Sequence, residues 1–424
     1  MLKPEIQAAY IAILNEELVP ATGCTEPIAV AYAAAKLRQV LGAQPERVRA
    51  EISGNIIKNV KSVVVPNTGG LRGIQAAAAA GAAVGQAERE LEVIAQVTPE
   101  QVGEIRAFLE RCPIQVGLAA TTQIFYIEVL AFGGDGSNSE VAISGFHTNV
   151  IRKRRNGQLL LQREEAAERE SPCDEKSLLS IEGALEFADT VELDDVRALV
   201  QRQIDYNYAI AQEGLRGNYG ANIGSVLLKH DGDDVKVRAK AYAAAGSDAR
   251  MNGCELPVVI VSGSGNQGIT SSVPVVVYAK ELGVSEEKML RAVVLSDLIT
   301  IHQKSGIGRL SAYCGAISAG CGAGAGIAYL YGGGYEEIAH TVVNALAVVS
   351  GVVCDGAKAS CAAKIAAAVD AGILGYWMYR EGNQFFGGDG IVSKGVENTI
   401  RNVGRLAREG MKETDKEIIK IMLE

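Results

Sequence analysis

Between residues 310 and 335 the chain carries no charged side chain and is built largely of Gly, Ala and Ser. Few arrangements suit such a run. It holds little of the Leu, Ile and Phe that drive insertion into a bilayer, so it reads as a buried helix or a glycine-rich turn and not as a membrane span. Side chains this small let helix backbones approach one another closely, and let backbone amides approach a ligand. Glycine is frequent throughout: 48 of 424 residues, where about 7% is usual. Tightly packed helices and several ligand-facing turns are therefore expected.

A chain of 424 residues is long enough for two or three domains and for a large core without disulfides. Its net charge of −9 argues against nucleic acid or an anionic membrane as partner. The first twenty residues carry Glu5, Glu16 and Glu17 and lack a basic segment followed by an apolar one, so no secretory signal is read there. Eight cysteines in that setting point to a reducing compartment, and a cytoplasmic protein is expected.

Apolar spacing predicts a helix over 1–18 (Ile6, Tyr10, Ile13, Leu14, Leu18). Thr25-Glu26-Pro27 opens a second helix that runs to Leu41. Alternation predicts strands at 47–53, 122–131, 140–145, 150–154 and 158–162, the last two joined by the turn Asn156-Gly157. Gly69, Gly70 and Gly73 lead into an Ala-rich helix. The charged run 163–176 changes the composition, and a boundary is expected near residue 175. The fold class expected is α+β, with a mixed α/β domain over 1–175 and an all-helical domain over 176–424. Small-residue helix faces also suit the pairing of two copies into a homodimer.

Gly263-Ser264-Gly265-Asn266-Gln267-Gly268 spells the dinucleotide motif G-x-G-x-x-G. That motif works only between a strand and a helix of a βαβ unit, with an acid about 20 residues on. No such alternation surrounds it, so it reads as a polar turn feeding a helix. The free amides and dipole there favour a carboxylate or phosphate.

Cys24 precedes a predicted helix N-terminus, where the dipole favours thiolate. It is either a reactive thiol or extra metal ligand, or a small residue packed at a cap. Cys314, Cys321, Cys354 and Cys361 form two C-x6-C pairs. Residues seven apart on a helix have Cα atoms roughly 10 Å apart, too far to share one tetrahedral zinc. An iron–sulfur cube accepts wider ligand spacing. Spacing alone leaves two readings open, cluster ligands or small buried residues. Cys112, Cys173 and Cys254 show no pairing pattern and read as packing or surface thiols.

Five segments occur together: Gly23-Cys24-Thr25-Glu26-Pro27, Ser53–Val60, Val65-Pro66-Asn67-Thr68-Gly69-Gly70, Gly263–Gly268 and Val353–Cys361. In this order they resemble the L-cysteine desulfidase family, related to the PLP-independent iron–sulfur L-serine dehydratases, over essentially the whole chain. The resemblance implies a mixed N-terminal domain and a helical serine-dehydratase-α-like domain. It implies a [4Fe–4S] cluster held by Cys314, Cys354 and Cys361, with Cys24 as the catalytic or cluster-proximal thiol and Cys321 a packing residue. Some related dehydratases end in a cysteine that reaches the cluster. This chain ends Ile418–Glu424 without one, which favours Cys24 as the local thiol.

The activity implied is a lyase that eliminates sulfide from L-cysteine to give pyruvate, ammonia and hydrogen sulfide, an open iron serving as Lewis acid. Asn55, Lys58, Asn67, Thr68, Ser264, Asn266 and Gln267 are the candidate contacts to a small amino-acid substrate. Ordinary turn chemistry is the alternative for each. Lys304 and Lys358 read first as solvated lysines, and His147 and His302 as structural histidines. Competing activities are dehydration of L-serine or another β-substituted amino acid, a non-catalytic iron–sulfur or redox protein, and a PLP enzyme.

Overall fold

The computed structural model describes residues 2–163, 174–308 and 311–424. Cys173 and most of the charged run that marks the expected boundary lie outside the described residues. The N-terminal half runs α1 (Pro4–Glu17), β1 (Pro20–Thr22), α2 (Thr25–Leu41), β2 (Arg47–Ile52), α3 (Gly54–Val60), α4 (Gly73–Val84), α5 (Pro99–Arg111), β3 (Ile114–Leu118), β4 (Tyr126–Phe132), β5 (Asn138–Ser144), β6 (Val150–Arg155) and β7 (Gln158–Gln162). The rest runs α6 (Ile181–Thr190), α7 (Leu193–Arg216), α8 (Ile223–Asp231), α9 (Val235–Met251), β8 (Pro257–Val259), α10 (Gly265–Leu282), α11 (Glu286–Ile307), α12 (Gly315–Leu330), α13 (Tyr335–Val349), α14 (Cys361–Arg380), α15 (Val396–Arg405) and α16 (Lys412–Leu423). The fold is α+β, a sheet-bearing N-terminal region followed by a helical one.

Six strands form one sheet in the order β3-β2-β4-β5-β6-β7. The β2–β3 pair is parallel, and the other neighbours are antiparallel. Alternation works as the sequence predicts. Val48, Ala50, Ile52, Ile127, Val129, Val141 and Ile143 face one way and share a core with α2 and α4. The other face carries polar pairs, with Arg152 bonded to Glu128 and Glu140. Asn156 and Gly157 take φ of 49° and 78°, as a type I′ hairpin turn requires.

In the second core α12 packs among α10, α11, α13 and α14. Its small residues serve that role: a Cβ on Gly324 would lie 2.6 Å from the Gly372 carbonyl oxygen of α14. All-round burial explains the missing charges, since every side of α12 faces protein. The helix α1 also belongs here. Tyr10, Ile13 and Leu14 join this core, and Tyr10 packs on Phe187 at 5.4 Å. The two cores are therefore not two consecutive stretches of chain.

Among the described residues one helix, α14, is long and apolar enough to cross a membrane, and about half of it is buried inside the molecule. The segment 310–335, which the sequence singles out, contains the shorter helix α12.

β1 and β8 pair antiparallel, Pro20 opposite Val259 and Thr22 opposite Pro257. In this antiparallel ribbon the end of β1, which leads into α2, lies beside the start of β8, so α2 begins close to where the chain leaves α9. The ribbon also shows why the glycine motif after β8 is not a dinucleotide turn. β8 has no parallel neighbour, so no βαβ unit exists there.

Candidate functional site

Cys314 caps the N-terminus of α12, Cys361 opens α14, and Cys354 lies in the segment between α13 and α14. A single antiparallel bridge, Tyr313 opposite Val353, sets two of them. The Cys314 amide donates to the Val352 carbonyl at 3.1 Å, and the Cys354 amide donates to the Ala312 carbonyl. Side chains alternate across a strand, so residues 314 and 354 both point away from the side taken by Tyr313 and Val353. They are diagonal neighbours, a relation that separates Cα atoms by roughly 7 Å in a regular ladder. After Cys354 the chain turns through Gly356, whose φ of +94° suits glycine, and the Cys361 thiol donates back to the Gly356 carbonyl at 3.5 Å.

Burial pushes the Cys314 thiol up to about 12, and the neighbouring Cys354 and Cys361 push in the same direction. Cys361 is raised by burial first and by Cys354 as well. Cys354 thus acts on both of the others, and Cys361 acts on Cys314. Cys321 does not share in this. It sits in the core one face along α12, raised to about 12 by burial alone.

Three lysines lie beside the group, one buried and two partly exposed. Lys304, in the last turn of α11, is 5% exposed and bonds to the Gly308 carbonyl. Burial lowers it to about 8 while Cys354 and Cys314 draw it up. Lys364 bonds to the Val353 carbonyl at 2.8 Å and to Asp355 at 2.5 Å, and Lys358 bonds to Asp355 as well. Burial favours the neutral form of Asp355, but these two lysines outweigh it and hold the carboxyl at about 2.

Cys24 caps α2 and is 3% exposed. Gly23, at φ +65°, lets the chain pass against Pro66. The expected thiolate is a point of correction. Burial pushes the thiol well above its ordinary value, the charge of Glu26 adds to this, and the nearby Arg250 pulls the other way without prevailing. The thiol instead donates to Glu26 Oε2 at 3.0 Å, and Asn59 Nδ2 donates to Glu26 Oε1 at 3.2 Å.

Two elements join Cys24 to the three thiols. At the start of α10, Asn266 Oδ1 accepts from Arg250 at 3.2 Å on the Cys24 side. The next residue, Gln267, lies against Gly315, where a Cβ would come within 2.8 Å of the amide. In α3, Asn59 reaches Glu26, while a Cβ on Gly356 would overlap the carbonyl of the adjacent Lys58. Adjacent residues of one helix thus touch each half of the site.

A family model for the serine dehydratase alpha chain matches residues 88–420. The chain belongs to the serine dehydratase alpha-chain family. It is similar to a UPF0597 protein of Desulfitobacterium hafniense (strain Y51), 61% identical over 98% of this chain and 96% of the relative. A UPF0597 protein of Lachnoclostridium phytofermentans is 54% identical over 97% and 99%. One of Treponema denticola is 46% identical over 98% and 97%. The matched stretch holds Arg250, Lys304 and the three thiols, whereas Cys24 and α3 precede it.

The family is one of iron–sulfur serine dehydratases, and the donor set of this serine dehydratase alpha-chain member fits that group. Three soft ligands, one buried and two partly buried, share one region with Lys304 and Lys364, which would offset the charge of thiolates. Among the described residues no three Cys, His, Asp or Glu side chains converge on a single metal ion.

The remaining sequence candidates have varied surroundings. Lys58 is buried and bonds to Asp415 of α16 at 2.5 Å. Asn67, at φ 57°, donates to the Ile94 carbonyl, and Thr68 donates to the Val65 carbonyl at 2.7 Å, so both brace the loop whose Pro66 packs against Gly23. Among the described residues the buried oxygens of Asn55 and Gln267 have no hydrogen-bond partner. Ser264 precedes α10 without capping it. His302 bonds to Glu397 at 2.7 Å, and His147 packs edge-on against Phe125. Sequence reasoning misses Glu26, Asn59 and Arg250. Glu26 and Asn59 stand inside the motifs given above and are legible there; Arg250 has no sequence signal.

Proposed function

We propose that this chain is an iron–sulfur lyase that removes the β-substituent of a small amino acid, with L-cysteine as substrate and pyruvate, ammonia and hydrogen sulfide as products. One observation carries the reading. At the start of α10, Asn266 bonds to Arg250, whose charge reaches the buried, acid-paired Cys24, and Gln267 packs on Gly315, next to Cys314 in the cysteine group that also includes Cys354 and Cys361. Those three would hold the cluster, which when bound supplies a Lewis-acidic iron position for a departing sulfur or oxygen.

The chain's own residues supply the rest. Cys24 is the group to receive the α-proton, and its own proton must leave first. Glu26 Oε2, 3.0 Å away, is the acceptor within reach. Asn59 keeps Glu26 facing the thiol. The amides of α10, with Ser264, Asn266 and Gln267, bind the polar end of the substrate. Asn55 offers an unpaired buried oxygen to its ammonium. Loss of the α-proton and of the β-sulfur as hydrosulfide leaves aminoacrylate, which tautomerises and hydrolyses to pyruvate and ammonia.

The family supports a second reading, the same elimination of water from L-serine. Anaerobic reconstitution with iron and sulfide, followed by assay of both amino acids, separates them. Sulfide and pyruvate released in equal amounts from L-cysteine, well above pyruvate from L-serine, support the desulfidase. The reverse order supports the dehydratase. No product from either, with a full iron complement, excludes both and leaves a redox protein.

A further inference from the structure

Arg250, in the last turn of α9, is 5% exposed. Among the described residues no carboxylate pairs with it. Nη1 bonds to the neutral Asn266 Oδ1, and Nε has no partner. A guanidinium does not shed its proton, so burying one without a counter-ion is unfavourable unless a ligand supplies the missing charge. Of the other cations near the site, Lys58 is paired with Asp415, Lys358 and Lys364 are paired with Asp355, and Lys304 bonds to the Gly308 carbonyl and lies beside Cys314 and Cys354. Glu26, the acid beside Cys24, is taken up by Cys24, Thr25 and Asn59.

Arg250 also stands where an eighteen-residue helix begins. The first amides of α10 have no carbonyl acceptor within the helix, and Ser264 does not cap them. Gly265 makes room for the guanidinium, since a Cβ there would overlap Nε.

We infer that Arg250 is the specificity residue that anchors the substrate α-carboxylate, together with the amides at the start of α10. The inference rests on the amino-acid lyase reading. It also orients the substrate. The carboxylate is bonded to the α-carbon, so holding it at Arg250 sets that carbon beside Cys24. The β-substituent is left to extend past Gln267 toward Cys314. A planar guanidinium and a helix N-terminus both select a carboxylate over a neutral amide.

The test compares L-alanine, which has nothing to eliminate, with neutral L-alaninamide by calorimetry on the reconstituted protein. Steady-state kinetics, cluster absorbance and thermal melts accompany it. Wild type is expected to bind L-alanine at least about tenfold more tightly than the amide. Arg250→Gln should erase that preference. Arg250→Lys and Gly265→Ala should raise KM about tenfold or more, with kcat changed less and cluster absorbance unchanged. If Arg250→Gln fails to fold, the other two variants decide. Wild type without preference for the carboxylate overturns the anchor, as does unchanged L-alanine affinity in folded Arg250→Lys and Gly265→Ala. A clear preference for L-alanine without turnover of L-cysteine or L-serine keeps the anchor and removes the lyase.

Discussion

Opposing influences meet at the Cys24 thiol. A helix N-terminus and Arg250 favour its anion, while burial and Glu26 favour the proton, and the latter pair prevails. If Glu26 is the acceptor of that proton, Glu26→Gln should lower kcat about a hundredfold or more with KM and cluster absorbance little changed; an unchanged kcat would contradict the role. A second buried acid tests the electrostatics away from the site. Burial raises Asp297 to about 7 against hydrogen bonds from Gln203 and Ser271. Its folded form holds the proton that the unfolded chain releases near 3.8, so its contribution to stability declines as pH rises from about 4 to about 7 and is level above that. Asp297→Asn should therefore gain melting temperature relative to wild type across that window. A difference that stays constant with pH would refute the shift. The thiols and Glu26 are legible because they sit in short motifs. Arg250 is not, since an arginine's lack of a counter-ion is a property of three-dimensional neighbours and leaves no mark on local sequence.

At the scale of elements, α12 and α14 carry Cys314 and Cys361 at their N-terminal ends. The approach of their backbones fixes how those ends meet. A Cβ on Gly372 would overlap the Gly320 carbonyl. Gly372→Ala should cost about 1–3 kcal/mol by overpacking, read as a lower melting temperature, and should loosen iron retention. Gly103 in α5 is exposed, and a methyl group added there would meet nothing within 4 Å; Gly103→Ala should stabilise by about 0.5–1 kcal/mol. Equal effects at the two positions would show that close packing of α12 on α14 is not what matters. The small-residue helices and the strands β4 to β7 are readable from composition and alternation. The pairing of β1 with β8 is not legible in the sequence. Three-residue strands carry too little pattern, and their pairing across more than two hundred residues of chain has no local signal.

For the molecule as a whole, the site lies where two cores meet. The N-terminal region brings Cys24, Glu26 and α3, and the helical region brings Arg250, α10 and the three thiols. α1 crosses into the helical core, and α16 returns to α3 through Asp415 and Ile419. Neither crossing follows from a boundary drawn on composition, because packing between distant segments overrides the order of the chain. The central claim is that Cys314, Cys354 and Cys361 hold a four-iron cluster. It is tested most directly by counting iron and acid-labile sulfide after anaerobic reconstitution of wild type and of the single Cys→Ala variants at 24, 314, 321, 354 and 361. About four of each per chain are expected in wild type, the same in the variants at 24 and 321, and a marked loss in each of the other three. A full complement in any of those three, or a loss at 321 as large as theirs, would contradict it.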